Sequence, residues 1–184
     1  MRSFILLSLI AAVYGIQIDT VSQLNISQYT GLWYQVYGDR FTQVLEDCYC
    51  ATAKYGIADN STLTMATSCH YGAANGTFRS KSGTVHRPDS KIQGKFTMKI
   101  NGVVNPVEYW VIYLGPATFM DNLYQFSVIT DEAQLQLAVL ARNVTGFMIN
   151  YAEKVRMQLQ FQGFDKLINK PRVIYQGSDC KYAS

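Results

Sequence analysis

The chain has 184 residues, 48% of them apolar and only 16% charged, with a formal net charge of +3. That length fits one domain behind a removable leader, and a domain of this size buries roughly 70% of its unfolded surface. A weak positive balance, with no Lys/Arg stripe and no run of like charge, excludes a nucleic-acid-binding surface.

Met1-Arg2 is a short positive head, and Phe4 to Val13 is an apolar stretch long enough for a signal-peptide core but too short to span a bilayer. Val13 and Gly15 suit the small-residue positions before a cleavage site. Residues 1–15 therefore read as a signal peptide and residues 16–184 as the mature domain, secreted and extracellular. No later stretch approaches a membrane span, so no stable membrane span is expected.

From residue 29 to residue 142 the pattern is strand, turn, strand. Gly31 to Tyr37 alternates around aromatic residues. Cys48 to Ile57 follows, closed by Asp59-Asn60-Ser61, and then Leu63 to Tyr71, closed by Gly72-Ala73-Ala74-Asn75-Gly76. Thr77 to Val85 ends at Arg87-Pro88-Asp89. Lys91 to Ile100 ends at Asn101-Gly102, a strong turn signal. Glu108 to Leu114 is aromatic and β-branched and stops at Gly115-Pro116. Leu123 to Thr130 and Gln134 to Arg142 complete eight runs, with no intervening helix that parallel strands would need.

After Arg142 the period changes. Met148, Ala152, Val155 and Leu159 form one helical face, opposite Glu153, Lys154, Arg156 and Gln158. One amphipathic helix is expected over about residues 147 to 161, with Gly163 as its stop. Val173-Ile174-Tyr175 reads as a short last strand. Closing an antiparallel sheet into a barrel removes its edges. The expected fold is all-β: an eight-stranded antiparallel up-and-down β-barrel, one C-terminal α-helix packed outside it, and a short final strand.

The four cysteines, Cys48, Cys50, Cys69 and Cys180, favour disulfides in an exported chain, with three connectivities open. No metal site is expected: Cys48-x-Cys50 lacks zinc-knuckle spacing, and His70 and His86 are not placed as a second ligand pair. Asn25, Asn60, Asn75 and Asn143 head Asn-x-Ser/Thr triplets and are candidate glycosylation sites.

Gly31-Leu32-Trp33-Tyr34, after Ile26-Ser27-Gln28-Tyr29, resembles the Gly-x-Trp signature that opens the first strand of lipocalins. Glu108-Tyr109-Trp110-Val111-Ile112 resembles the sixth strand of the apolipoprotein D-like and bacterial-type subgroup. Leu137-Ala138-Val139-Leu140-Ala141-Arg142-Asn143 resembles its eighth strand, which ends in an arginine. The resemblance runs from about residue 19 to about residue 182. It implies that Gly31, Trp33 and Arg142 form the structural signature, with Trp33 plugging the closed end and the Arg142 guanidinium across its indole face, a cation–π arrangement. It also implies a Cys50–Cys180 disulfide, which leaves Cys48 with Cys69. The subgroup's Thr-Asp-Tyr after the sixth strand is missing. Leu114-Gly115-Pro116-Ala117-Thr118-Phe119-Met120-Asp121 stands there instead, in a loop at the closed end.

Alternate side chains of a strand face the same side. With Arg142 inward, Leu140, Ala138 and Gln136 follow it into the cavity, and Leu135, Leu137 and Val139 face out under the helix. By resemblance Trp110 faces the cavity, and alternation brings Ile112 and Leu114 with it. On the second strand the parity opposite to Cys50 turns Tyr49, Ala51, Ala53 and Tyr55 inward. Phe96, Met98 and Ile100 are candidates on the fifth strand. On the seventh, Tyr124, Phe126 and Val128 compete with Gln125 and Ser127. The expected ligand-binding set is Trp110, Ile112, Leu114, Tyr49, Tyr55, Phe96, Met98, Gln136 and Leu140.

The resemblance implies a secreted carrier that transports or sequesters a small hydrophobic molecule in the cavity: a fatty acid, sterol, retinoid or bilin. The chain's 13 Tyr suit an apolar cavity with a few hydroxyls. Two other readings stand beside it: a protein-binding, immunomodulatory lipocalin acting through its loops, and a lipid-modifying enzyme. No Ser-His-Asp set or carboxylate pair stands in a recognisable context, so neither catalytic residues nor a cofactor are assigned. The expected partners are a small hydrophobic ligand and a cell-surface receptor, and the expected state is a monomer.

Overall fold

The computed structural model describes residues 18–41 and 47–182. The signal peptide expected at residues 1–15 lies outside them.

A single helical turn, α1 (Ile26–Tyr29), precedes the first strand. Asn25 caps it, its side-chain oxygen accepting the Ser27 N–H, the usual device for an orphan donor at a helix start. Gly31 then turns the chain with φ +92°, a backbone that favours glycine. A side chain there would also stand 3.1 Å from the Arg142 guanidinium.

Eight antiparallel strands follow: β1 (Gly31–Gly38), β2 (Cys48–Ile57), β3 (Thr62–Tyr71), β4 (Thr77–His86), β5 (Lys95–Ile100), β6 (Val107–Leu114), β7 (Phe126–Thr130) and β8 (Leu137–Ala141). Each pairs with the next, β8 pairs with β1, and β1 pairs with β2, which closes the barrel. A two-residue strand, β9 (Arg172–Val173), adds to β1 outside the closed set.

Three strands start later than the sequence pattern suggests. Lys91 to Gly94 is taken up by turns, with Ile92 donating to Asp89 and Lys95 donating to Ile92. Leu123 to Gln125 belong to the preceding loop, where Tyr124 bridges to Ala117. Asp131 accepts the backbone N–H groups of Leu135 and Gln136 and holds residues 131–136 in a turn.

The single helix expected over 147 to 161 is two, α2 (Val144–Asn150) and α3 (Ala152–Phe161). Tyr151, at φ −129° and ψ −24°, interrupts them. The break shifts the helical phase. Ala152, Val155 and Leu159 are buried as the pattern implies, but in α2 the buried residue is Phe147, and Met148 is exposed. Gly163, at φ +88°, lies just past the end.

The barrel wall separates two cores. Outside it, Val36, Phe126, Val128, Leu137 and Val139 pack against Phe147, Val155, Leu159 and Phe164 of the helical segment. Inside, Trp33, Leu63, Val85, Phe96, Val111 and Leu140 fill one end. Disulfides join Cys48 to Cys69 and Cys50 to Cys180. The second pins the C-terminal arm to β2. It acts with a bond from Cys50 N–H to the Tyr175 carbonyl (2.8 Å) and two from the Gln176 amide to the carbonyls of Gln35 and Ala51. Among the described residues no helix is long and apolar enough to cross a membrane.

Candidate functional site

The barrel interior holds a cavity of about 740 Å³, within the usual range for small-molecule sites. Its lower part is apolar: Ala53, Met65, Met98, Ile129, Ala138 and Leu140, with the rings of Tyr55 and Tyr109. Its rim is polar and carries both signs of charge: Asp39, Glu108 and Asp131, and across from them Arg79 and Lys81. The rim comes from the β1–β2, β3–β4, β5–β6 and β7–β8 end of the barrel. Its polar groups are held in place. Asp39 accepts the Leu137 N–H at 2.8 Å, Glu108 accepts the Glu132 N–H at 3.0 Å, and the Arg79 guanidinium lies 3.9 Å from the centre of the Tyr71 ring.

The other end is closed. Trp33 is fully buried and its indole N–H donates to the Tyr29 carbonyl at 2.9 Å. The Arg142 guanidinium carbon stands 3.7 Å from the centre of the Trp33 ring. Burial holds the Arg142 pKa down to about 10.

Between this plug and the cavity lies a chain of buried hydroxyls. Tyr55 and Tyr109 share a hydrogen bond of 2.9 Å, Tyr109 and Tyr29 one of 2.8 Å, and Tyr29 and Ser127 one of 2.8 Å. Burial pushes the Tyr29 phenol up to about 12 and raises those of Tyr55 and Tyr109 well above the ordinary value, the latter two raised further by Tyr29 beside them. All three stay neutral in water near neutral pH.

The structure divides the residues expected to bind ligand. Tyr55, Met98, Gln136 and Leu140 line the cavity. Phe96 is inside the barrel but below the cavity, its ring against Tyr109. Trp110 and Ile112 are a correction: both point outward, into the core beneath the helices. Lys95 Nζ sits 3.6 Å from the centre of the Trp110 ring. Tyr109 and Val111 take the inner positions instead. A register shift between Val111 and Tyr113 then reverses the alternation, so Leu114 returns to the inner cluster, although it does not reach the cavity. Tyr49 is also corrected. Cys50 has a left-handed backbone (φ +55°) at an irregularity in β2, and Tyr49 packs against Tyr175. On β7, Phe126 and Val128 face outward, while Ser127 and Ile129 face inward. Leu135 lies on the rim of the cavity and not under the helix.

Tyr109, Met65 and Ile129 are cavity residues that the sequence reading missed. Alternation marks Tyr109 as the partner of Trp110 on the opposite face, so one wrong parity hid it. The hydroxyl chain had no local signal, because its members are 54, 80 and 98 residues apart along the links.

The geometry agrees with comparisons to known proteins. Residues 24–172 match the family model described as a lipocalin-like domain. No curated protein sequence matches the chain. Among solved structures, lobster apocrustacyanin A1 superposes with a TM-score of 0.59 at 12% identity, covering 91% of this chain and 95% of that one. A biogenic amine-binding protein gives 0.58 at 19% identity, covering 90% of each chain. The amine binding protein of Rhodnius prolixus, in its tryptamine complex, gives 0.58 at 18% identity, covering 90% of this chain and 89% of that one. With a closed eight-stranded barrel, an internal cavity and a family match over most of its length, the chain belongs to the lipocalin-like family.

Proposed function

We propose that the protein is a secreted carrier that binds one small, largely apolar molecule in the barrel cavity and transports or sequesters it. The observation that carries this reading is the cavity itself, open at one end, apolar in depth and polar at the rim. Burial of the ligand supplies the affinity, at roughly 25 cal/mol per Å² of apolar area removed from water. Tyr55, Met98, Gln136 and Leu140 are the contacts carried over from the sequence, joined by Tyr109, Met65 and Ile129. Fatty acids, sterols, retinoids and bilins are the ligand classes. The apolipoprotein D-like subgroup, cleavage after Gly15, a cell-surface receptor and a monomeric state belong to the same reading. So do glycans on Asn25, Asn60, Asn75 and Asn143, all exposed.

The test is solvent extraction of the secreted protein with mass spectrometry. Alongside it, calorimetric titration uses a panel of the four ligand classes and tryptamine. A stoichiometric apolar ligand is expected. If no class binds below about 100 μM, weaker than roughly −5.5 kcal/mol, the carrier reading fails.

One observation favours a second reading, action on a protein partner through the loops. Phe119 and Met120 are almost completely exposed at the tip of the closed-end loop. A hydrogen bond from Asn122 N–H to the Thr118 carbonyl and the Ala117–Tyr124 bridge hold that loop in shape. The lipid-modifying reading has less to build on, since all four cysteines are committed to disulfides.

A further inference from the structure

The hydroxyl chain at the cavity floor has a surplus hydrogen. Tyr55, Tyr109, Tyr29 and Ser127 carry four hydroxyl hydrogens between them, and the three links consume three. No other side-chain hydrogen bond engages these four hydroxyls among the described residues. The surroundings are dry: Tyr29 and Ser127 are 1% and 0% exposed, and Trp33, Phe96 and Leu63 fill the space beneath. A buried hydroxyl hydrogen without an acceptor is costly. The chain meets open space only where Tyr55 and Tyr109 line the cavity.

We propose that the cavity floor is a subsite for a neutral oxygen, the carbonyl or hydroxyl end of an otherwise apolar molecule, which enters polar end first and accepts the spare hydrogen from Tyr55 or Tyr109. This rests on the carrier reading and narrows its ligand class.

Charge argues for a neutral group. The phenols of Tyr29, Tyr55 and Tyr109 are uncharged at neutral pH. Arg142 is stacked on Trp33 and donates to the carbonyls of Leu32, Thr30 and Gln28. The cations that line the cavity, Arg79 and Lys81, belong to its rim. A carboxylate at the floor would shed its hydration without a counter-charge. An alcohol, ketone, aldehyde or ester loses far less and gains one hydrogen bond. The apolar walls above, Met65, Met98, Ile129 and Leu140, take the hydrocarbon part.

The experiment compares 2-decanone with decane by calorimetry, with decanoate as a third probe. It uses the intact protein and the double variant Tyr55→Phe/Tyr109→Phe. Both substitutions are needed, because either phenol alone could still offer the surplus hydrogen. The 2-decanone-to-decane affinity ratio should be about tenfold higher in the intact protein than in the double variant, the yield of one hydrogen bond in a dry site. The double variant should lose that increment, and circular dichroism should show it folded as the intact protein is. In the infrared spectrum the carbonyl stretch of bound 2-decanone should fall to lower frequency in the intact protein and return upward in the variant. A 2-decanone-to-decane affinity ratio unchanged by the double substitution, or a carbonyl shift unchanged by it, would each overturn the subsite and leave the carrier reading standing. A floor that prefers decanoate, with the preference lost in the double variant, would also overturn it. If none of the three probes binds, the floor subsite fails, and the carrier reading rests on the panel of fatty acids, sterols, retinoids and bilins.

Discussion

The guanidinium carbon of Arg142, just past the end of β8, lies over the indole of Trp33 in β1, 3.7 Å from the ring centre. The same guanidinium donates to the backbone carbonyls of Leu32 (2.8 Å), Thr30 and Gln28, and its Nε donates to that of Tyr124 (3.3 Å). One side chain thus ties α1, the start of β1 and the β6–β7 loop together and closes the barrel beneath the hydroxyl chain. The half-buried cation is compensated by these four bonds to carbonyls and by the ring beneath it.

Arg142→Met keeps the apolar stem but takes a donor from each of those carbonyls, of which that of Gln28 keeps the Tyr124 N–H. It is expected to destabilise the fold by about 3 kcal/mol, since hydrogen bonds to a charged group contribute most of that loss. Urea titration followed by circular dichroism measures it. Arg142→Lys should recover little, because an ammonium cannot reach the same set of carbonyls while keeping its charge over the ring. A lysine variant as stable as the parent would remove the geometric part of this account.

The buried tyrosines make stability fall in alkali. Tyr29, Tyr55 and Tyr109 have phenols raised well above the ordinary value of 10, to about 12 for Tyr29. Above pH 10 the unfolded chain releases these protons and the folded chain keeps them, so the unfolded state is favoured as pH rises. Each contributes about 1.4 kcal/mol of loss per pH unit above 10 until its folded value is reached. Arg142 works the other way, its folded value of about 10 lying below the usual 12.5, but it is one group against three. Denaturant midpoints between pH 8 and pH 11.5 should fall above pH 10. Phenolate absorbance should show three tyrosines appearing only with unfolding.

How much was legible in the sequence depends on where the anchor for each strand's parity lay. On β8 the anchor was Arg142, and Leu140, Ala138 and Gln136 do line the cavity. On β6 the anchor was a resemblance at Trp110, and choosing it reversed the strand as far as the register shift, beyond which Leu114 is back inside. A one-residue error in a period of two exchanges every inside and outside position. The bulges on β2 and β6 cannot be read from alternation, because each inserts a residue that breaks it. The helix break at Tyr151 has no Pro or Gly to announce it. The hydroxyl chain is a product of closure, and only the barrel brings Tyr29, Tyr55, Tyr109 and Ser127 together.

Trp110 sits outside the barrel, under Lys95. Trp110→Phe is therefore expected to leave the affinity for any cavity ligand within about twofold, the scale of a fraction of a kcal/mol. A reporter belongs on the inner face. Met98→Trp places an indole at the cavity wall, and its emission should shift on ligand binding while that of Trp110 does not. Loss of binding in Trp110→Phe, with the fold intact by circular dichroism, would mean that the ligand lies in the groove outside the barrel that Ile18, Thr20, Lys95 and Trp110 line.

The two disulfides should separate in their effects. Cys50–Cys180 closes 130 residues, and its removal by paired serine substitution should cost about 4–5 kcal/mol on the chain-entropy view. Ligand affinity should change little, because Cys50 does not line the cavity. Cys48–Cys69 closes only 21 residues and should cost about 3 kcal/mol. Both of its cysteines line the rim, so its removal should also weaken ligand binding. Chemical denaturation and calorimetry on the two paired variants give both quantities.

A pair of substitutions at opposite ends of the barrel decides between carrier and loop-acting protein. Ala138 faces the cavity from β8, and Ala138→Phe puts a ring where the ligand would lie. The open space there can accept it with little of the strain that overpacking a filled core brings. Thermal stability should hold while small-molecule affinity drops at least tenfold. Phe119→Ser/Met120→Ser removes the exposed apolar tip at the closed end without touching the cavity. A carrier loses its biological effect with the first variant and keeps it with the second. A protein that works through its loops shows the reverse, because an exposed aromatic or methionine anchor dominates such interfaces and a blocked cavity is irrelevant to them.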